Sequence, residues 1–167
     1  MNLVIIDVGG TINKQYVETT GVLMVDGESA AIKEIILHCR GNLNVIVTSI
    51  IHKDSLDMTN KDRVLLMRAI KTSSEENIII LHGTDTMDKS AAVIAKNVQE
   101  KKVIFVGSMK PYSIEKDEAI FNFACAVGFL RSNPANGVYI SMHSLVLPYD
   151  EIYKDRNIGV FKPLNNT

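Results

Sequence analysis

Residues 77–98 read NIIILHGTDTMDKSAAVIAKNV, a strand, a turn and a helix in that order. Asn77–Leu81 is an isoleucine-rich run of the kind buried on both faces of a parallel sheet. His82-Gly83-Thr84-Asp85-Thr86 interrupts it with turn formers, of which Asp85 or Thr86 is the expected N-cap. Met87–Val98 then continues with a helical pattern. The alternation recurs along the chain: Asn2–Val8, Leu43–Ile50, Val103–Val106 and Val138–Ile140 are further Val- and Ile-rich runs. Between them lie helical stretches at Ser29–Cys39, Thr59–Lys71 and Glu118–Leu130. Ile32, Ile35, Ile36 and Cys39 share one face, with Gly41 as a stop; Val64, Leu66, Met67 and Ile70 share another, with Thr59 and Asp62 as a capping pair. Such a chain predicts an α/β fold of three layers, a doubly wound, mostly parallel sheet with helices on both faces.

The first connection departs from the pattern. From Asn13 to Gly27 the chain is polar, lacks a long period, and holds a short hairpin around Val22–Val25. Following Thr11 directly, it reads equally as a lid over that residue or as a surface excursion.

With 167 residues, 46% hydrophobic and 22% charged, the chain fits one domain, residues 1–167, with a core of its own. A net charge of -1 gives no pull on nucleic acid or an anionic membrane, and no basic stripe is interleaved with aromatics. No apolar run approaches the ~20 residues of a membrane span, and no leader pattern precedes Leu3, so the expected location is cytoplasmic. Cys39 and Cys125 read as buried, inert thiols. His38, His52, His82 and His143 lack metal-ligand spacing, and no metal or cofactor is implied. His82 reads as a structural hydrogen-bonding residue, and Met87, Met109 and Met142 as core filler.

Two turns carry the candidate chemistry. Asp7-Val8-Gly9-Gly10-Thr11-Ile12 and the segment from His82 to Thr86 each bring a threonine hydroxyl to the carboxyl edge of the sheet, where open α/β folds keep their ligands. Gly9-Gly10-Thr11 has three readings: a tight turn, a phosphate cradle similar to that of actin-like sugar kinases, or a nucleophilic threonine needing a base. The second turn opens a helix, whose free N–H groups and dipole favour an anion or a developing oxyanion.

Taken together, Gly9-Gly10-Thr11-Ile12 and His82-Gly83-Thr84-Asp85-Thr86 resemble the bacterial-type L-asparaginases, threonine amidohydrolases whose amino domain is flavodoxin-like. Ser55-Leu56-Asp57-Met58 is similar to that family's substrate loop, and Gly107-Ser108-Met109-Lys110-Pro111 to its G-[AS]-M-[RK]-P turn. Asp117 with Phe121-Asn122 echoes a helix motif, with Glu118 in place of its glycine. Asp150-Glu151-Ile152-Tyr153-Lys154, ahead of Phe161-Lys162, falls where the catalytic lysine is expected. On composition alone, Tyr149–Arg156 is a solvated charged segment.

The resemblance implies that Thr11 attacks a side-chain amide carbon, with Tyr16 as the lid tyrosine that polarises it. Thr84, Asp85 and Lys154 would form a second triad. Lysine acts as a base only when neutral, whereas a neighbouring aspartate favours its charged form, so the proton route stays open. Ser55 and Asp85 would hold the α-carboxylate and α-ammonium of the substrate, beside Gly10, Gly83, Thr84 and Ser108. The implied reaction converts L-asparagine and water to L-aspartate and ammonia in a homo-oligomer, dimer or tetramer. Val8 replaces the threonine that usually opens the first turn, and Leu56 replaces a substrate-contacting glutamine. Long family members add a carboxyl domain that supplies an acidic partner to the tyrosine–threonine pair; this chain matches the domain before it. Rival readings are hydrolysis of a related amide or ester, a weak binding module for small amino acids, and a kinase fragment.

Overall fold

Strand β1 (Asn2–Gly9) is buried from Leu3 onward and organises the sheet around it. The computed structural model describes residues 1–40 and 43–164, so the expected helix stop at Gly41 lies outside the described residues. β1 pairs in parallel with β4 (Asn44–Lys53) on one side and β5 (Asn77–Leu81) on the other. β6 (Lys102–Val106) and β7 (Gly137–Met142) extend the parallel run, and β8 (Leu145–Pro148) closes the edge antiparallel to β7. The order β4-β1-β5-β6-β7-β8 is that of a flavodoxin-like sheet with one added edge strand. Winding direction reverses between β1 and β5, the position at which open α/β sheets hold their ligands.

Period-two alternation along β1 builds both cores at once. Leu3 and Ile5 face α1 (Ala30–His38) and α4 (Asp117–Arg131), with Ile32, Ile35, Phe123 and Leu130 in the same cluster. Val4 and Ile6 face α2 (Asn60–Thr72) and α3 (Met87–Asn97), packing with Leu66, Ile70, Ala91 and Ile94. Each fully buried aliphatic side chain of this kind contributes about 1.5–3 kcal/mol. β4 is not buried on both faces as expected; at the sheet edge its residues alternate, and Ile46 is exposed. Thr59 and Asp62 form the predicted capping box of α2, and Lys53 beside it holds the Asp62 carboxyl down to about 2.

Two hairpins stand outside the sheet. β2 (Lys14–Val17) pairs with β3 (Val22–Val25), confirming the hairpin in the long first connection and leaving Val22, Leu23 and Met24 exposed. β9 (Ile152–Asp155) pairs with β10 (Val160–Pro163), so the stretch that composition reads as a solvated segment is ordered, and Ile152 and Phe161 anchor it to the core. The two thiols are less buried than expected, though nothing among the described residues marks them as reactive. Cys39 and Cys125 are unbridged but only half-buried, and partial burial raises the Cys39 thiol above its ordinary value. No helix among the described residues is long and apolar enough to cross a membrane.

Candidate active site

The two threonine turns touch through their main chains. Gly9 and Gly10 have φ of 99° and 88°, a region that side chains avoid. Gly10 N donates to Lys53 O at 2.9 Å. A β-carbon at Gly10 would collide with the Gly83 main-chain nitrogen, and one at Gly83 would fall 2.7 Å from Ser55 Oγ. Glycine is thus required for the turns after β1 and β5 and the loop after β4 to close on one another. Gly107 completes the set, since a β-carbon there would lie 2.5 Å from His82 O.

Beneath the first turn sits Asp7, fully buried at the end of β1. Its carboxylate accepts from Gly9 N at 2.8 Å, Asn13 Nδ2 at 2.7 Å and Ser29 Oγ at 2.5 Å. Burial raises its pKa, against the opposing pull of these donors. The side chain therefore ties the turn that bears Thr11 to the start of α1.

A second buried network supports the other turn. His82 Nδ1 lies 2.7 Å from Gly83 O, a pure acceptor, so the proton sits on Nδ1 and Nε2 accepts from Ser90 Oγ at 2.8 Å. Arg63 donates to Ser90 Oγ, Met58 O and Thr86 Oγ1. Thr86 occupies the N-cap position of α3 without capping it, contrary to expectation, because its hydroxyl donates to Ser55 O at 2.6 Å and serves the buried guanidinium. The Asp85 carboxylate is likewise engaged elsewhere. Complete burial pushes His82 down to about 4 from 6.5. The folded state thus prefers the neutral ring. Its stability contribution is full above the unfolded value of 6.5 and is lost as the pH falls from there towards 4, a loss of about 3 kcal/mol for this residue. Denaturant unfolding across that range is expected to show the loss, and NMR to show His82 still neutral near pH 5; an ordinary imidazole titration in the folded protein would contradict it.

Where the turn after β5 meets the β9–β10 hairpin, Lys154 on β9 donates to Thr84 Oγ1 and Asp85 Oδ1, both at 2.8 Å. The three residues that the resemblance groups as a triad are therefore in one hydrogen-bonded chain. Lys154 is mostly buried, with 11% of its side chain exposed. Thr84 Oγ1 also donates to Met109 Sδ at 3.5 Å, so Met109 touches the site rather than only filling core. Ser55 is buried and accepts from Asp85 N at 3.2 Å. Ser108 is buried and donates to Lys110 O at 2.5 Å, which commits its hydroxyl to shaping its own turn.

Thr11 follows Gly10 and is half-buried, and among the described residues its hydroxyl makes no hydrogen bond. Tyr16 is 60% exposed on β2, with its hydroxyl near Gly21 at the hairpin tip rather than bonded to Thr11. The structure thus assembles the Thr84 side of the site and leaves Tyr16 on the hairpin.

Sequence reasoning passed over two residues here. Arg156 Nη1 reaches Asp85 Oδ1 at 2.9 Å, and Nη2 reaches Asp85 O at 2.6 Å. Glu118, the departure from the helix motif, accepts from Met109 N and lies 3.1 Å from His143 Nε2, while His143 Nδ1 accepts from Phe161 N. Glu118 thereby fixes the turn that places Met109 on Thr84. The glycine missing at Glu118 was the signal available in the sequence.

The fold and site place the chain among α/β proteins that hold paired threonine turns at the switch point of a flavodoxin-like sheet. It belongs to the asparaginase family: the family profile described as Asparaginase, N-terminal matches residues 2–158. The probable L-asparaginase periplasmic of Haemophilus influenzae is 28% identical over 172 residues, covering 95% of this chain and 48% of that protein. A glutamyl-tRNA(Gln) amidotransferase component of Methanococcus vannielii is 28% identical over 179 residues, covering 99% of this chain and 42% of the relative. Among solved structures, the thermostable L-asparaginase from Thermococcus kodakarensis superposes with a TM-score of 0.87 at 22% identity, over 100% of this chain and 52% of that one. The chain spans about half the length of the curated relatives it matches.

Proposed function

We propose that the chain hydrolyses the side-chain amide of L-asparagine, releasing L-aspartate and ammonia by way of an ester on Thr11. The observation that carries this reading is Lys154 Nζ at 2.8 Å from both Thr84 Oγ1 and Asp85 Oδ1. Thr11 Oγ1 attacks the amide carbon, its proton ends on the amide nitrogen as the C–N bond breaks, and the nitrogen leaves as ammonia. Water then attacks the ester, restoring the Thr11 hydroxyl and freeing the side-chain carboxylate. In the water step Thr84 would take a proton from the attacking water as it passes its own to a neutral Lys154 amine, and the same chain run in reverse would return a proton to Thr11. Ser55 and Asp85 orient the α-carboxylate and α-ammonium, and Gly10 and Gly83 let the main chain come close to the amide. Cytoplasmic residence and a homo-oligomer, dimer or tetramer, belong to the same proposal.

The test is ammonia release from L-asparagine, L-glutamine and D-asparagine. L-asparagine is expected to turn over fastest. L-glutamine is expected to be poor, because Leu56 puts an exposed apolar side chain where the resemblance implies a polar substrate contact. Tight asparagine binding without turnover would instead support a binding module, and release confined to another amide would move the substrate assignment.

A further inference from the structure

Asp85 is answered twice before any substrate arrives. Its Oδ1 accepts from Lys154 Nζ at 2.8 Å and from Arg156 Nη1 at 2.9 Å, while Oδ2 makes no hydrogen bond among the described residues. Arg156 also grips the main chain at Asp85 O, at 2.6 Å. Lys154 lies on β9, and Arg156, two positions on, is the first residue after the strand. The intervening Asp155 pairs instead with Lys162 across the hairpin at 2.9 Å, leaving both cations directed at Asp85. The guanidinium is 60% exposed and lies at a cavity of about 380 Å³ that Thr84, Asp85 and Lys154 also line.

Resting on the reading of Asp85 as the anchor of the α-ammonium, we propose that Arg156 is a specificity-determining clamp that competes with that ammonium. An incoming amino group would find Oδ2 the oxygen not already engaged, and there it becomes a third cation around a single carboxylate. Lys154 cannot yield its place, because it also serves Thr84. Arg156 can, since its charge is largely in water and, apart from its bond to Asp85 O, no other group of the hydrogen-bonded chain depends on it. The clamp therefore lowers affinity for substrates with a free α-ammonium and spares those without one, such as succinamate, which keeps the amide and carboxylate of asparagine and lacks its amino group.

The experiment compares Arg156→Gln and Arg156→Lys with the parent chain on L-asparagine and succinamate. Because exposed pairs are worth at most about 1 kcal/mol, Arg156→Gln is expected to lower KM for L-asparagine by about fivefold, with kcat within about twofold. KM for succinamate is expected to stay level or rise. Arg156→Lys keeps the charge and is expected to resemble the parent. A merely structural role would move both substrates together, and that result overturns the clamp, as does Arg156→Lys behaving like Arg156→Gln. Calorimetry with L-aspartate and succinate separates this from failure of the hydrolase reading. If the parent releases no ammonia, that reading falls, while tighter L-aspartate binding in Arg156→Gln with unchanged succinate binding still supports the clamp. Equal shifts for the two ligands, or no L-aspartate binding in either chain, overturn it.

Discussion

Lys154→Met is expected to lower kcat for L-asparagine by about a thousandfold while leaving the fold in place. Methionine keeps an unbranched side chain in a mostly buried position and removes the charge and all three donors. Thr84 Oγ1 would retain only its contact with Met109 Sδ, and no group would remain to exchange a proton with it. Asp85 would still be held by Arg156, so the turn after β5 keeps one of its two ion pairs. The effect should therefore fall on kcat rather than on the melting temperature. A loss below about tenfold, measured by ammonia release at saturating substrate, would reduce Lys154 to a brace between β9 and α3.

The second large effect is at Thr11. Thr11→Ala is expected to reduce turnover by at least about a thousandfold with asparagine binding retained, since the ester can no longer form. The structure makes this a clean substitution. The hydroxyl has no hydrogen bond among the described residues to lose, and the turn is held from below by Asp7 and from the side by Gly83. Thr11→Ser keeps the oxygen and should retain part of the rate. Acid-quenched mass spectrometry should find an aspartyl ester on the parent chain and none on Thr11→Ala. Unchanged turnover in Thr11→Ala would remove the nucleophile assignment and leave the activity to be explained by another group.

What could be read from the residues follows from how local each signal is. The cores of β1, β5, β6 and β7 were legible because strands buried on both faces are continuous apolar runs such as Ile78-Ile79-Ile80-Leu81. The capping box of α2 was legible because Thr59 and Asp62 signal to each other within one turn. β8 was missed because it is a short antiparallel edge strand ending in Pro148, and β9 because its charged residues mask a core anchor at Ile152. Thr86 fits an N-cap on local grounds, yet a buried guanidinium from α2 claimed its hydroxyl. Within the site, Thr84, Asp85 and Lys154 could be grouped only by resemblance, since their meeting joins segments far apart in the chain. Arg156 has no local signature; it matters only because the β9–β10 hairpin delivers it to Asp85. Tyr16 is near Thr11 in sequence, but pairing with Leu23 carries its hydroxyl along the hairpin.

The contact between Gly10 and Gly83 divides the site into a part that variation can reshape and a part it cannot. Both halves of that contact are main chain, and neither position accepts a β-carbon without displacing backbone or the Ser55 side chain. The separation of the two threonine turns is therefore not a quantity that amino-acid replacement can adjust in small steps. Selection for a new amide must work through the peripheral hairpins, β2–β3 and β9–β10, which carry exposed Tyr16 and Arg156. Directed evolution of this chain should accumulate its substrate-range changes there, with Gly10 and Gly83 left untouched.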